Sequence, residues 1–90
     1  MQKIFEQDEA VTLLKSGVAL QEKILAAKAE NYAGRLKAFE EKHGMKSRGF
    51  ILKFKNGKLG DSEEWCDWLF VYEAYTKTNG QQKILKSLAL

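Results

Sequence analysis

The sequence contains no proline, one cysteine and one histidine, and each scarcity closes off a class of protein. Without proline, neither a polyproline segment nor a proline-marked domain linker is present. The single Cys66 has no partner for an internal disulfide and fits a reducing compartment. With one Cys and one His, twenty-three residues apart, the chain lacks C-x-x-C and H-x-x-x-H spacings, so no metal site and no cofactor is expected. No apolar run approaches the ~20 residues that span a bilayer. The opening Met1-Gln2-Lys3-Ile4-Phe5-Glu6 runs into acidic residues instead of a signal-peptide core. These features predict a cytoplasmic protein with no membrane partner.

What is present belongs to one folded unit. Ninety residues, 44% apolar and 30% charged, are too apolar for a disordered tail and too few for two cores. The net charge of +3 conceals an uneven distribution. Residues 1–45 are neutral overall. From Lys46 to Gly60 there are five bases (Lys46, Arg48, Lys53, Lys55, Lys58) and no acid, whereas Asp61 to Tyr75 holds five acids and no base. The simplest expectation is that the two blocks attract one another within or between subunits.

Periodicity is helical throughout. Leu14, Val18, Leu25, Ala29, Tyr32, Leu36 and Phe39 recur at steps of 4, 7, 4, 3, 4 and 3, which predicts a long helix over 8–43. Leu13, Leu20 and Ile24 form a second ridge, suited to a further packing partner. Lys42 and His43 suit the negative end of the helix dipole, and Gly44 suits the position after its cap. Such a helix reaches about 54 Å, against a diameter of about 30 Å for a compact chain of this size. Either it breaks at Ser16-Gly17 or its projecting part meets another chain. The second is favoured, with Leu14, Val18 and Leu25 as self-association residues in a coiled contact that makes the protein a homo-oligomer.

Beyond Gly44, Phe50 and Phe54 share a face of a short helix over 48–55, capped by Ser47 and stopped at Asn56-Gly57. A hairpin through Asn56-Gly57 is the alternative, although only Lys58-Leu59 remains for its second strand. Asp61, with Glu64 three residues on, reads as the N-cap of a third helix over 62–78, whose Trp65, Trp68, Tyr72 and Tyr75 are spaced by 3, 4 and 3. A stop at Asn79-Gly80 and a brief terminal helix around Ile84, Leu85 and Leu88 complete an all-α domain over 1–90. It divides into the long helix and a helical C-terminal part over 44–90.

The residues Phe39-Glu40-Glu41-Lys42-His43-Gly44-Met45, Ser47, Phe50, Gly57-Lys58-Leu59-Gly60-Asp61, Glu64-Trp65 and Asp67-Trp68 carry a resemblance. Over about residues 32–75 the chain resembles small helical prokaryotic proteins with a FEEKYGM-S-x-x-F segment followed by GELGD-x-x-x-WFDW, an antitoxin-like family. It departs from that pattern at His43, Lys58 and Cys66. The resemblance implies a cognate toxin protein as partner and carries over no catalytic residue.

Candidate chemistry is otherwise sparse. Glu63 and Asp67 stand at i and i+4, but carboxylates in a first helical turn serve the dipole far more often than acid/base catalysis. The chain is therefore expected to bind, not to catalyse. The expected contact is the edge where Lys53, Lys55 and Lys58 meet Asp61, Glu64 and Trp68, with Trp68 as a binding anchor. A structural or oligomerisation module without a toxin is the alternative. A nucleic-acid binder using the Lys46–Lys58 block is the third reading, weakened by the absence of a helix-turn-helix or N-terminal ribbon strand and by the inward placement of Phe50 and Phe54.

Overall fold

The computed structural model describes residues 2–88, with side chains from residue 8 onward, and contains three helices: α1 (Gln2–His43), α2 (Ser47–Lys55) and α3 (Glu63–Ser87). No strand occurs among the described residues, so Phe50 to Leu59 is a short helix and its turn, not a hairpin. Lys3-Ile4-Phe5, near the start of the chain, lies inside α1, so no ribbon strand forms there.

α1 is unbroken through Ser16-Gly17 and begins earlier than the periodicity from residue 8 suggests. Its 42 residues rise about 63 Å, which accounts for the molecular extents of 66 × 21 × 20 Å. The radius of gyration, 19.1 Å, far exceeds the ~12 Å of a compact chain this size. α3 runs back along α1. Phe39 stacks near Trp68 early in α3, while Glu22 and Ala26 border the same groove as Gln82 and Lys86 near its end. The first part of α1 therefore projects as an arm beyond a helical head.

The head closes around Leu36, Phe50, Ile51, Trp68 and Val71, with Tyr32, Phe39, Met45, Leu59 and Trp65 packed against them. Two turns make this possible. After α1, Gly44 takes φ 65° and its N–H donates to the Glu40 carbonyl at 2.8 Å. After α2, Asn56 is the C-cap and Gly57 takes φ 73°. The Gly57 N–H donates to the Phe54 carbonyl at 3.0 Å and the Lys58 N–H to the Lys53 carbonyl at 3.1 Å, a Schellman closure. Gly60, at φ 79°, then redirects the chain into α3.

Three expected boundaries are corrected. Asp61 is not the N-cap of α3. That place belongs to Ser62, whose hydroxyl accepts from the Trp65 N–H at 3.3 Å. Ser47 is the first residue of α2 instead of its cap, and Lys46 holds the cap position without a side-chain bond. α3 does not stop at Asn79-Gly80 but continues to Ser87. The reason is packing: Thr78 and Leu25 are buried where α3 lies on α1, and this contact outweighs the ~1 kcal/mol penalty of glycine inside a helix.

Candidate partner-binding surfaces

The head is pinned by a polar relay at its centre. The Trp68 Nε1–H donates to Ser47 Oγ at 2.9 Å, and the Ser47 hydroxyl donates to Glu40 Oε2 at 2.8 Å. The Ser47 backbone N–H donates to the same oxygen at 2.9 Å. Glu40 thus performs from α1 the capping of α2 that was expected of Ser47 itself. The Ser47 N–H and hydroxyl, with Lys46 nearby, hold the Glu40 carboxyl below its ordinary range against the opposing effect of burial. All three helices meet in this relay.

A second clamp lies beside it. Glu64 accepts from Lys42 Nζ at 2.8 Å and pairs with His43 Nε2, and these contacts with Lys42 first and His43 second lower its pKa. His43 also packs at 4.7 Å from Trp65 and 5.4 Å from Trp68, centroid to centroid. Glu64 therefore joins α3 to the end of α1, and its role in the head is structural.

Trp68 is corrected more strongly. It is 0% exposed and lies parallel to Phe50 at a centroid distance of 4.0 Å, so it offers no surface to a partner. The expected edge survives only as Lys53, Lys55, Lys58 and Asp61, which are all exposed. The two charge blocks do not pair within the chain either. Among the described residues the ion pairs are those of Glu64 with Lys42 and His43, both from α1, and none involves the Lys46–Lys58 segment. Phe50, Ile51 and Phe54 turn into the head, which sends Arg48, Leu52 and Lys55, at steps of 4 and 3, to the opposite face. Leu52 is 60% exposed there, an apolar residue within a basic surface that the sequence reading passed over.

The self-association residues also divide. Leu14 is exposed and Val18 half-buried, but Leu25 is 2% exposed because α3 of the same chain covers it. Leu25 is therefore core. The exposed apolar surface of the arm consists instead of Val11, Leu13, Leu14, Leu20 and Ile24, and the second ridge supplies most of it. Phe70, 65% exposed on α3 beside Tyr32 and Lys77, was likewise not anticipated, since it stands outside the aromatic spacing of that helix.

Cys66 is exposed. Among the described residues, no group of three His, Cys, Asp or Glu side chains is placed to hold a metal ion, and no helix is long and apolar enough to cross a membrane. Comparison with protein-family models, characterised proteins and solved structures finds no match to this chain.

Proposed function

We propose that this chain works by binding another protein, with α2 presenting a basic recognition edge and the α1 arm holding copies of the chain together. The observation that carries the reading is the unpaired edge itself. Lys46, Arg48, Lys53, Lys55 and Lys58 are exposed, none forms an ion pair among the described residues, and Leu52 stands among them. Such a surface suits an acidic protein with an apolar spot at the centre of its contact. The resemblance to antitoxin-like proteins makes a cognate toxin the partner of choice, inhibited by being covered.

A nucleic-acid role is less well supported. Phe50 is wholly buried and Phe54 half-buried, so α2 has no aromatic platform on which bases could stack. The alternative of an oligomerisation module without a toxin draws only on the arm and leaves the basic edge without a task.

Co-expression with the product of a small co-transcribed reading frame, where the gene next door supplies one, is the decisive experiment, and the absence of such a frame favours the oligomerisation module. A stable complex on size-exclusion chromatography, weakened at least tenfold by Lys53→Glu/Lys55→Glu while the helical circular dichroism is retained, is the expected result. Unchanged binding by that variant would remove the edge from the interface. Salt-sensitive retention of DNA by the wild type alone would favour the nucleic-acid reading.

A further inference from the structure

The arm carries two apolar stripes with different surroundings. Val11, Leu14 and Val18 continue the seam along which α3 buries Leu25 and Leu36. The other stripe, Ala10, Leu13, Gly17, Leu20 and Ile24, lies on a separate flank. Its Leu13, Leu20 and Ile24 are 69%, 60% and 39% exposed, and the chain itself does not cover them. At its centre, Gly17 weakens a helix interior, yet a Cβ built there would meet nothing within 4 Å. Nothing in the single chain calls for glycine at that position.

We propose that the Ala10–Leu20 part of this second stripe is covered by the same residues of a second copy, with the two arms antiparallel and crossing near Lys15. The inference rests on the reading of the arm as the element that holds copies together. In this arrangement Leu13 seats over Gly17 of the second copy and Leu20 over its Ala10, large against small, and each contact occurs twice about the two-fold axis. Charge supplies the independent argument for direction. Glu9 and Lys23 are two heptads apart and flank the stripe on one side. The register that places Leu13 over Gly17 sets Glu9 beside Lys23 of the second copy, giving two opposite-charge pairs. A parallel pairing would instead set Glu9 beside Leu14 and Lys23 beside Lys28 of the second copy, with no opposite-charge pair. Asp8, Lys15 and Glu22 lie on the far side of the helix and stay in water.

The arrangement has a functional consequence. Each head lies about 40 Å from the crossing point, because some 28 residues of α1 separate Lys15 from His43. The two basic edges then sit at opposite ends of one rod, and the dimer presents two binding sites for acidic partners.

Sedimentation equilibrium of the full chain tests this. The wild type is expected to be a dimer. Glu9→Lys and Lys23→Glu should each raise the dimer dissociation constant about tenfold or more, since every reversal creates two like-charge pairs. The double variant Glu9→Lys/Lys23→Glu should restore it. Circular dichroism of each variant confirms that α1 remains helical. A monomeric wild type at high concentration overturns the proposal, as does a dimer in which the two reversals fail to rescue one another. Neither result touches the α2 edge, whose test is loss of the acidic partner on Lys53→Glu/Lys55→Glu.

Discussion

Trp68 and Ser47, 21 residues apart, are joined by a hydrogen bond of 2.9 Å from the indole Nε1–H to the hydroxyl oxygen, both groups being buried. The bond satisfies the one polar atom of the Trp68 ring, and the Ser47 hydroxyl in turn donates to Glu40 Oε2. A large aromatic can thus occupy the centre of the head without stranding its N–H, and in doing so it fixes the start of α2 against α1.

Truncation of Trp68 should therefore unfold the head. Trp68→Ala is expected to destabilise by about 3–5 kcal/mol, read from urea denaturation followed by circular dichroism. Trp68→Phe keeps a ring near Phe50 and loses the hydrogen bond, for a smaller cost of about 0.5–1.5 kcal/mol beyond any loss of volume. If Trp68→Ala left the urea midpoint unmoved, the buried position of the ring would be wrong.

Acid should weaken the fold through two carboxylates. Glu40 and Glu64 both titrate below their ordinary value of 4.5 in the folded chain, Glu40 through Ser47 and Glu64 through Lys42. A group with a lowered folded pKa binds fewer protons folded than unfolded, so its stabilisation is complete above the ordinary range and disappears as pH falls through the lowered value. Melting temperature should accordingly be flat near neutrality and decline below about pH 5. The Glu40→Gln variant should show a shallower decline, and an acid limb identical to that of wild type would contradict this assignment.

The glycines separate into two groups with opposite expected signs. Gly57 holds φ 73° in the turn that ends α2, and an alanine there must adopt a left-handed conformation at a cost of about 1–2 kcal/mol. Gly34 lies inside α1, and a Cβ there would meet nothing within 4 Å. Gly34→Ala should stabilise by about 0.5–1 kcal/mol through helix propensity. Thermal melts of the two variants, moving in opposite directions, would check both positions at once.

The sequence was legible where a signal is local and periodic. The long stripe from Leu14 to Phe39 and the Trp65-Trp68-Tyr72-Tyr75 spacing mark α1 and α3 because burial of one face repeats every three to four residues. Gly44 and Gly57 mark the helix ends because only glycine reaches their backbone angles readily. The misread features depend on what lies across the fold. Asn79-Gly80 is a reasonable stop until α1 is placed alongside it, and then burial of Thr78 carries the helix through. The order of charge along the chain suggested that the basic and acidic blocks pair, yet it does not state which face each side chain takes. Glu64 turns to Lys42 and His43, and the α2 bases face away. Trp68 could serve a core or an interface by residue type, and the Ser47 hydroxyl that decides the matter stands 21 residues earlier. The Glu40–Ser47 bonds had no signature beyond a carboxylate one turn before the end of α1.

Leucines of α1 should also differ in what they stabilise, according to whether their own chain covers them. Leu25 is 2% exposed under α3, so Leu25→Ala is expected to cost about 2–5 kcal/mol of folding stability at any protein concentration. Leu13 is 69% exposed, so Leu13→Ala should change the stability of a single chain by no more than about 0.5 kcal/mol. At higher concentration the two diverge again, because an arm that pairs with a second copy adds stability that grows with concentration and that Leu13→Ala removes. Urea titrations at two concentrations a hundredfold apart separate these contributions. A wild-type midpoint that rises with concentration, a Leu13→Ala midpoint that does not, and a Leu25→Ala midpoint that is low at both would place Leu25 in the core and Leu13 in the contact between chains. Equal losses for the two variants under dilute conditions would mean that the arm folds back on its own head and that Leu13 is already covered.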